Sequence, residues 1–305
     1  MSDMMPSKPL KALLNRDMAV AENRELIDKW SPYLESLVNY ATYLYMRCEK
    51  SLDNETGTPL SLFMLFYFII QAADGIQALV SRCCFDAAIP IARSLWEGTL
   101  QMEWMLKSDF ERRSAAYLAL YYKGIHDFNE SLDPNTERGK NIRAKRKKYL
   151  YQTDIPLLDE PPPDLQNQQT QIRKMLCKPK FKEVLDAFSA GSRGSRKWYS
   201  VDDGPLNLEQ LANKLDRAIE YDTLYRHFSD LAHGADVGRA LTAHEGRLYH
   251  APMRSTSHHD LVCLTASSGL IQAIKWIADR YRQEEDTDKD IREIVRKYRP
   301  EAVID

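Results

Sequence analysis

The chain has 305 residues and a formal net charge of -2 at pH 7, so it can bury a sizeable core and carries no global nucleic-acid signature; any RNA contact has to come from local basic patches. Glycine is scarce at 12 residues while Leu, Ala, Glu, Lys and Arg recur at helical spacing, which predicts an all-α, multi-helix bundle with helical extensions and no need of strands. The five cysteines, Cys48, Cys83, Cys84, Cys177 and Cys263, are odd in number and lack a CxxC pair, a pattern that fits reduced, cytoplasmic thiols rather than a disulfide framework.

Residues 1–15 read as a flexible arm with no signal-peptide core, followed by apolar residues at helical spacing from Asp17 to Lys50, with Pro32 expected to kink or restart the helix. After the turn at Asp53–Pro59, Leu60 to Arg82 reads as a helix apolar nearly all round, the expected centre of a bundle. Its greasiest run, Leu60–Ile70, is too short to span a bilayer, and Gln71 and Asp74 interrupt its continuation, so no membrane partner is expected. A second buried helix begins near Asp86 and places Arg93 and Glu97 at i and i+4 in apolar surroundings. Charges persist there only when paired, so this is read as a structural ion pair.

An aromatic-rich helix runs from Phe110 to Ser131, and Asp133-Pro134 ends it. Arg138, Lys140, Arg143, Lys145, Arg146, Lys147 and Lys148 then follow with no acid among them, ahead of Tyr149 and Tyr151. Such a run is either a solvated helix face or a phosphate-tracking surface, and the tyrosines would let single-stranded bases stack. Prolines 161–163 mark a candidate subdomain linker at 154–166, with a Gln-rich helix starting at Leu165. The small-residue loop 189–198 carries Arg193, Arg196 and Lys197 and is read as a surface loop able to touch phosphate. Asn207 is placed as the N-cap of a helix with Gln210 in the capping-box position.

The motif helix is expected to begin near Asp216 or Tyr221 and carries Asp222-Thr-Leu-Tyr-Arg226-His-Phe-Ser-Asp230-Leu-Ala-His233-Gly234. Seven residues from Arg226 to His233 make almost two turns at about 3.6 residues per turn, so Asp222, Arg226, Ser229, Asp230 and His233 would share one polar face. A histidine that titrates near neutral pH beside an arginine that holds an oxyanion suits acid-base attack on a phosphodiester. The same face could equally be a buried polar network between helices. Downstream the chain is expected to loop through His250-Ala-Pro252, after which Ser257 would cap a long amphipathic helix from about His258 to Arg282. A charged C-terminal helix with weak packing would close the chain, over 286–305 in a division that makes 16–285 a single domain. No His, Cys or acidic cluster has metal-ligand spacing, and no cofactor is expected.

Arg226, the polar His227 after it and His233 resemble the signature of the HEPN superfamily of small helical bundles. Ala92-Arg93-Ser-Leu-Trp-Glu97, Lys197-Trp198 with Asn207-Leu-Glu-Gln-Leu-Ala212, and Tyr221 through His233-Gly234 together resemble an uncharacterised bacterial family, domain of unknown function 5677. The HEPN resemblance implies metal-independent RNA cleavage in a bacterial defence or toxin system, with His233 as acid or base at the ribose 2′-hydroxyl and Arg226 on the scissile phosphate. Asp222, His227, Ser229 and Asp230 would support them, and Arg143, Lys145, Arg146, Lys148, Arg193, Arg196 and Lys197 would contact RNA. It also implies a homodimer: the two Cα atoms lie about 10.5 Å apart along one helix, and helical side chains lean towards the N-terminus, so one copy makes a stretched site. A neutralising or regulatory partner protein would fit that setting. The alternatives from the residues themselves are a non-catalytic helical interaction protein and a nucleic-acid or nucleotide sensor.

Overall fold

A computed structural model describes residues 15–49, 58–149, 162–190, 197–232, 241–244, 246–250 and 253–302. The fold is all-α. Its long helices are α1 (Arg16–Glu22), α2 (Arg24–Glu49), α3 (Thr58–Val80), α4 (Phe85–Lys107) and α5 (Phe110–Leu132), then α6 (Glu137–Tyr149), α7 (Leu165–Leu176) and α8 (Pro179–Ala190). A 3-10 turn (Trp198–Asp203) and α9 (Leu208–Lys214) precede α10 (Ala218–Glu220), a π-helical turn (Tyr221–Tyr225) and α11 (Arg226–Ala232), which form one uninterrupted helical stretch. The hairpin β1 (Leu241–His244) and β2 (Arg247–His250) follows, then α12 (His259–Tyr281) and α13 (Thr287–Tyr298).

The chain packs as two compact units, the first made of Met1–Leu52, Phe63–Met102 and Asp216–Asp305, the second of Asp53–Leu62 and Glu103–Leu215. In the first, α2 packs on α12 and α13. Trp30, Leu34, Leu37 and Leu44 of α2, Phe66, Ile69 and Ile76 of α3, and Leu270, Ile274 and Ile277 of α12 are all at most 1% exposed, the apolar stripe whose spacing drives these helices together. In the second, α5 packs on α7, α8 and the 3-10 turn, around Leu118, Phe181, Val184, Trp198 and Tyr199. The Ser61 and Ser114 hydroxyls pair at 2.5 Å in its interior, satisfying two polar groups that burial would otherwise penalise.

Several expectations change. The helix break falls at Asn23, whose side chain donates to the Ala19 carbonyl, and α2 continues past Pro32, so the proline does not restart it. One stripe of α3, comprising Tyr67, Phe68, Gln71 and Asp74, is exposed, so this helix has an outer face. Both α3 and α12 have the length and apolarity to cross a membrane, and 50% and 61% of those stretches are buried within the protein. Strands do occur: β1 and β2 pair antiparallel around Gly246, whose φ of +72° suits a residue without Cβ, where an irregular loop was expected. Ser257 does not cap α12. The cap position is His258, which uses its ring instead to pair with Asp86 at 2.8 Å. Nor is α13 weakly packed, because Tyr40 donates to Asp290 at 3.0 Å, Lys275 pairs with Asp288 at 2.7 Å, and Thr287 and Ile291 are buried. Most of the arm at 1–15 and of the linker at 154–166 lies outside the described residues.

Candidate functional site

The stretch Ala218–Ala232 belongs to the first unit and presents two different faces. Phe228 is fully buried, and Tyr221 and Tyr225 stack on each other at 5.0 Å with 19° between ring planes. Trp96 of α4 lies 5.6 Å from the Tyr225 ring and donates its indole N–H to Glu220 at 3.2 Å. Arg217 holds the same Glu220 carboxylate at 2.8 Å. Arg93 sits with its guanidinium 4.6 Å over the Tyr225 ring, donates to the Tyr225 hydroxyl at 2.5 Å, and pairs with Glu97 at 3.3 Å. The Arg93–Glu97 ion pair is therefore present, and it does more than neutralise two charges: it joins α4 to the inner face of the motif helix.

The turn Tyr221–Tyr225 closes with the Arg226 N–H donating to the Tyr221 carbonyl, an i→i+5 bond that widens the helix. Arg226 and Asp222 lie on the outer side, 57% and 63% exposed, joined at 2.8 Å, with the Arg226 guanidinium 5.3 Å over the Tyr221 ring. Asp230 is exposed and Ser229 half-buried. His227 turns elsewhere, its ring 5.4 Å from that of His258. The described members of the expected face, Asp222, Arg226, Ser229 and Asp230, are all exposed or half-buried, and His227 is not among them. Asp222 and Arg226 come together on the solvent side, His227 joins the His258–Asp86 pair, and His233 lies outside the described residues. His258 and His259 diverge, the latter bonding the Thr256 carbonyl at 2.7 Å.

Of the cations expected to contact RNA, Arg143 and Lys145 lie on α6, half-buried and exposed respectively, and Lys197 is exposed. The side chains of Arg146 and Lys148, and residues Arg193 and Arg196, lie outside what is described. Sequence spacing did not flag His126, Asp127 and Glu130, whose ligand atoms converge within 4.8 Å on α5. Within the group Lys123 and Arg138 reach Asp127 at 2.6 and 3.8 Å, and Arg173 donates to the His126 ring at 3.4 Å, so one carboxylate and one ring nitrogen already have partners. A cavity of about 270 Å³ in the second unit, lined by Trp104, Arg113 and Lys214 among others, was also not foreseen. Arg113 stands in a stretch that reads only as helix, and it meets Trp104 because Asp109 turns the chain with a left-handed φ of 43°.

No curated protein and no solved structure matches the chain. The family described as "Family of unknown function (DUF5677)" matches residues 61–244, which span Arg93, Glu97, the motif helix and the cavity. Because that match covers well over half of the sequence, the chain belongs to the DUF5677 family.

Proposed function

We propose that this protein is a metal-independent endoribonuclease of HEPN-like type, cytosolic and homodimeric through its motif helix, acting in a bacterial defence or toxin setting. His233 takes the proton from a ribose 2′-hydroxyl, whose oxygen attacks the adjacent phosphorus. The 5′-oxygen leaves with a proton from water, giving a cyclic 2′,3′-phosphate and a free 5′-hydroxyl, and His233 returns its proton to solvent. Arg226 holds the charge that builds on the phosphoryl oxygens.

The observation that carries this reading is the exposure of Arg226 with its direction set by Asp222 and Tyr221. An exposed i,i+4 ion pair is worth only about 0.3–0.5 kcal/mol, so a phosphate offering charge-assisted, two-pronged bonds can displace Asp222. A π-helical turn immediately before Arg226 is also a feature that recurs at functional sites. Unbridged Cys83 and Cys84 are consistent with a reducing compartment. The inner face of the same helix supports a second reading, a non-catalytic interaction protein whose Arg93, Trp96, Glu220 and Tyr225 network fixes helix packing.

One assay separates the two. Wild type, Arg226→Ala and His233→Ala are incubated with RNA and with 2′-deoxy substrate in EDTA. The proposal expects cleavage of RNA alone, lost in both variants. Intact RNA with the wild type, or equal cutting by both variants, leaves the interaction protein. Neutralising Arg143, Lys145, Arg146 and Lys148 is expected to weaken RNA binding and flatten its salt dependence; an unchanged slope makes that run an ordinary solvated face.

A further inference from the structure

The cavity of the second unit is an open cleft among the end of α4, the start of α5, the turn Trp198–Asp203 and α9, with a volume of about 270 Å³. Its walls combine aromatic residues with three cations, Arg112, Arg113 and Lys214, and three carboxylates, Asp109, Asp202 and Asp203. Trp104, Trp198 and Tyr199 are at most 8% exposed themselves and line the space. The Arg113 guanidinium lies 3.7 Å from the centre of the Trp104 ring and donates to the Trp104 carbonyl, while the Lys214 ammonium lies 5.8 Å from the same ring.

The two neighbouring arginines differ in how their charge is met. Arg112 grips Asp202 with two bonds, at 2.7 and 3.0 Å, and that carboxylate raises its pKa. Burial lowers the pKa of Arg113 against the opposing charge of Asp109, and among the described residues no carboxylate stands within ion-pair distance of it. Lys214 likewise has a backbone partner, the Asp203 carbonyl at 3.3 Å, and no carboxylate partner among the described residues. A partly desolvated guanidinium whose nearest carboxylate lies beyond ion-pair distance gains from an anion that completes it.

The backbone around the cavity is held in sparsely populated conformations. Asp109, Asp202 and Asp203 have φ of 43°, 55° and 59°, three of the five non-glycine residues with positive φ among those described. Strain of this kind concentrates at sites that must hold a shape. Gly204 tightens the same loop, since a Cβ there would stand 1.9 Å from the Tyr199 carbonyl oxygen.

We propose that this cavity binds a small organic oxyanion carried on a flat ring, with Arg113 and Lys214 on the anion and the Trp104, Trp198 and Tyr199 surfaces against the ring. The planar guanidinium fork fits a carboxylate or a phosphate monoester equally. The volume suffices: a cavity of about 150 Å³ admits benzene, leaving room here for the charged group. The lining does not include Arg226, and the proposal stands whether or not the protein cuts RNA.

Calorimetric titration of the full chain with benzoate and phenyl phosphate tests it, with benzamide as the uncharged ring and inorganic phosphate as the bare anion. One of the ring-bearing anions is expected to bind once per chain, each control at least about tenfold more weakly, and the preferred arm identifies carboxylate or phosphate. Arg113→Gln and Lys214→Gln are each expected to weaken binding by about tenfold, and Arg226→Ala to leave it unchanged. Lys214 is exposed, so its variant decides the matter even if Arg113→Gln fails to fold. Absence of binding by both anions at millimolar concentration, controls that bind as well as they do, or undiminished affinity in a folded Lys214→Gln protein would each overturn the proposal.

Discussion

Replacing Tyr225 with Phe removes one hydroxyl and keeps the ring that stacks on Tyr221 and lies under Arg93. The lost bond is short, 2.5 Å, and its donor is charged, a class worth about 1.5–3 kcal/mol. Because the Arg93 side chain is 19% exposed, solvent compensates part of the loss and the lower end applies, about 1.5 kcal/mol. Arg93→Met removes that bond and the contact with the ring, worth a further ~0.5–1 kcal/mol, and leaves a 30% exposed Glu97 without its partner, for a total of about 3 kcal/mol. The two changes share one bond, so the double variant should also lose about 3 kcal/mol, giving a coupling of about 1.5 kcal/mol. Urea unfolding of the four proteins measures it, with the slope against denaturant checked for constancy. Strict additivity, a coupling below about 0.5 kcal/mol, would refute the claim that Arg93 ties α4 to the motif helix.

Two further expectations concern stability. Gly124 on α5 has open space where a Cβ would go, so Gly124→Ala should stabilise by about 0.5–1 kcal/mol, whereas at Gly269 the same atom meets Leu95 at 2.6 Å and Thr99 at 3.0 Å. Gly269→Ala should therefore fail to raise the melting temperature, and an equal gain at both sites would count against close packing of α12 on Leu95. Hydrogen bonding from Arg112 holds the Asp202 carboxyl below its ordinary value, so its contribution is complete above about pH 4 and lost as pH falls through the lower folded value. Asp202→Asn should flatten the acid-side decline of the melting temperature below that pH, and an unchanged decline would show that the pair contributes nothing there.

The helices were legible wherever apolar residues kept one period over many turns, as in α3, α4, α5 and α12. The Asn207 cap was legible too: its side chain accepts from Gln210 N–H at 2.9 Å, while Gln210 reaches back to Leu206 N–H at 2.8 Å. What the pattern hid is nonlocal. The hairpin strands have four residues each, too few for alternation to declare itself. Asp86 takes His258 across 172 positions, a partnership that replaced the expected serine cap, and Arg112 meets Asp202 across 90. At the motif helix the residue types and the meeting of Asp222 with Arg226 were legible, but the wide turn through Tyr221–Tyr225 was not, because a uniform 3.6-residue period assumes an unbroken α-helix there.

That wide turn acts as a phase joint. One additional residue spread through a helical turn offsets everything beyond it by about 100°, so the surfaces before and after Tyr221–Tyr225 are indexed to different origins. The tyrosines face α4 through Trp96 and Arg93, while the chain continuing from Arg226 is anchored by Phe228 in the phase that the joint sets. A length change of a single residue inside the turn would re-aim Arg226 without altering one side chain of the segment that carries it, whereas the same change beyond Ala232 would leave Arg226 where it is.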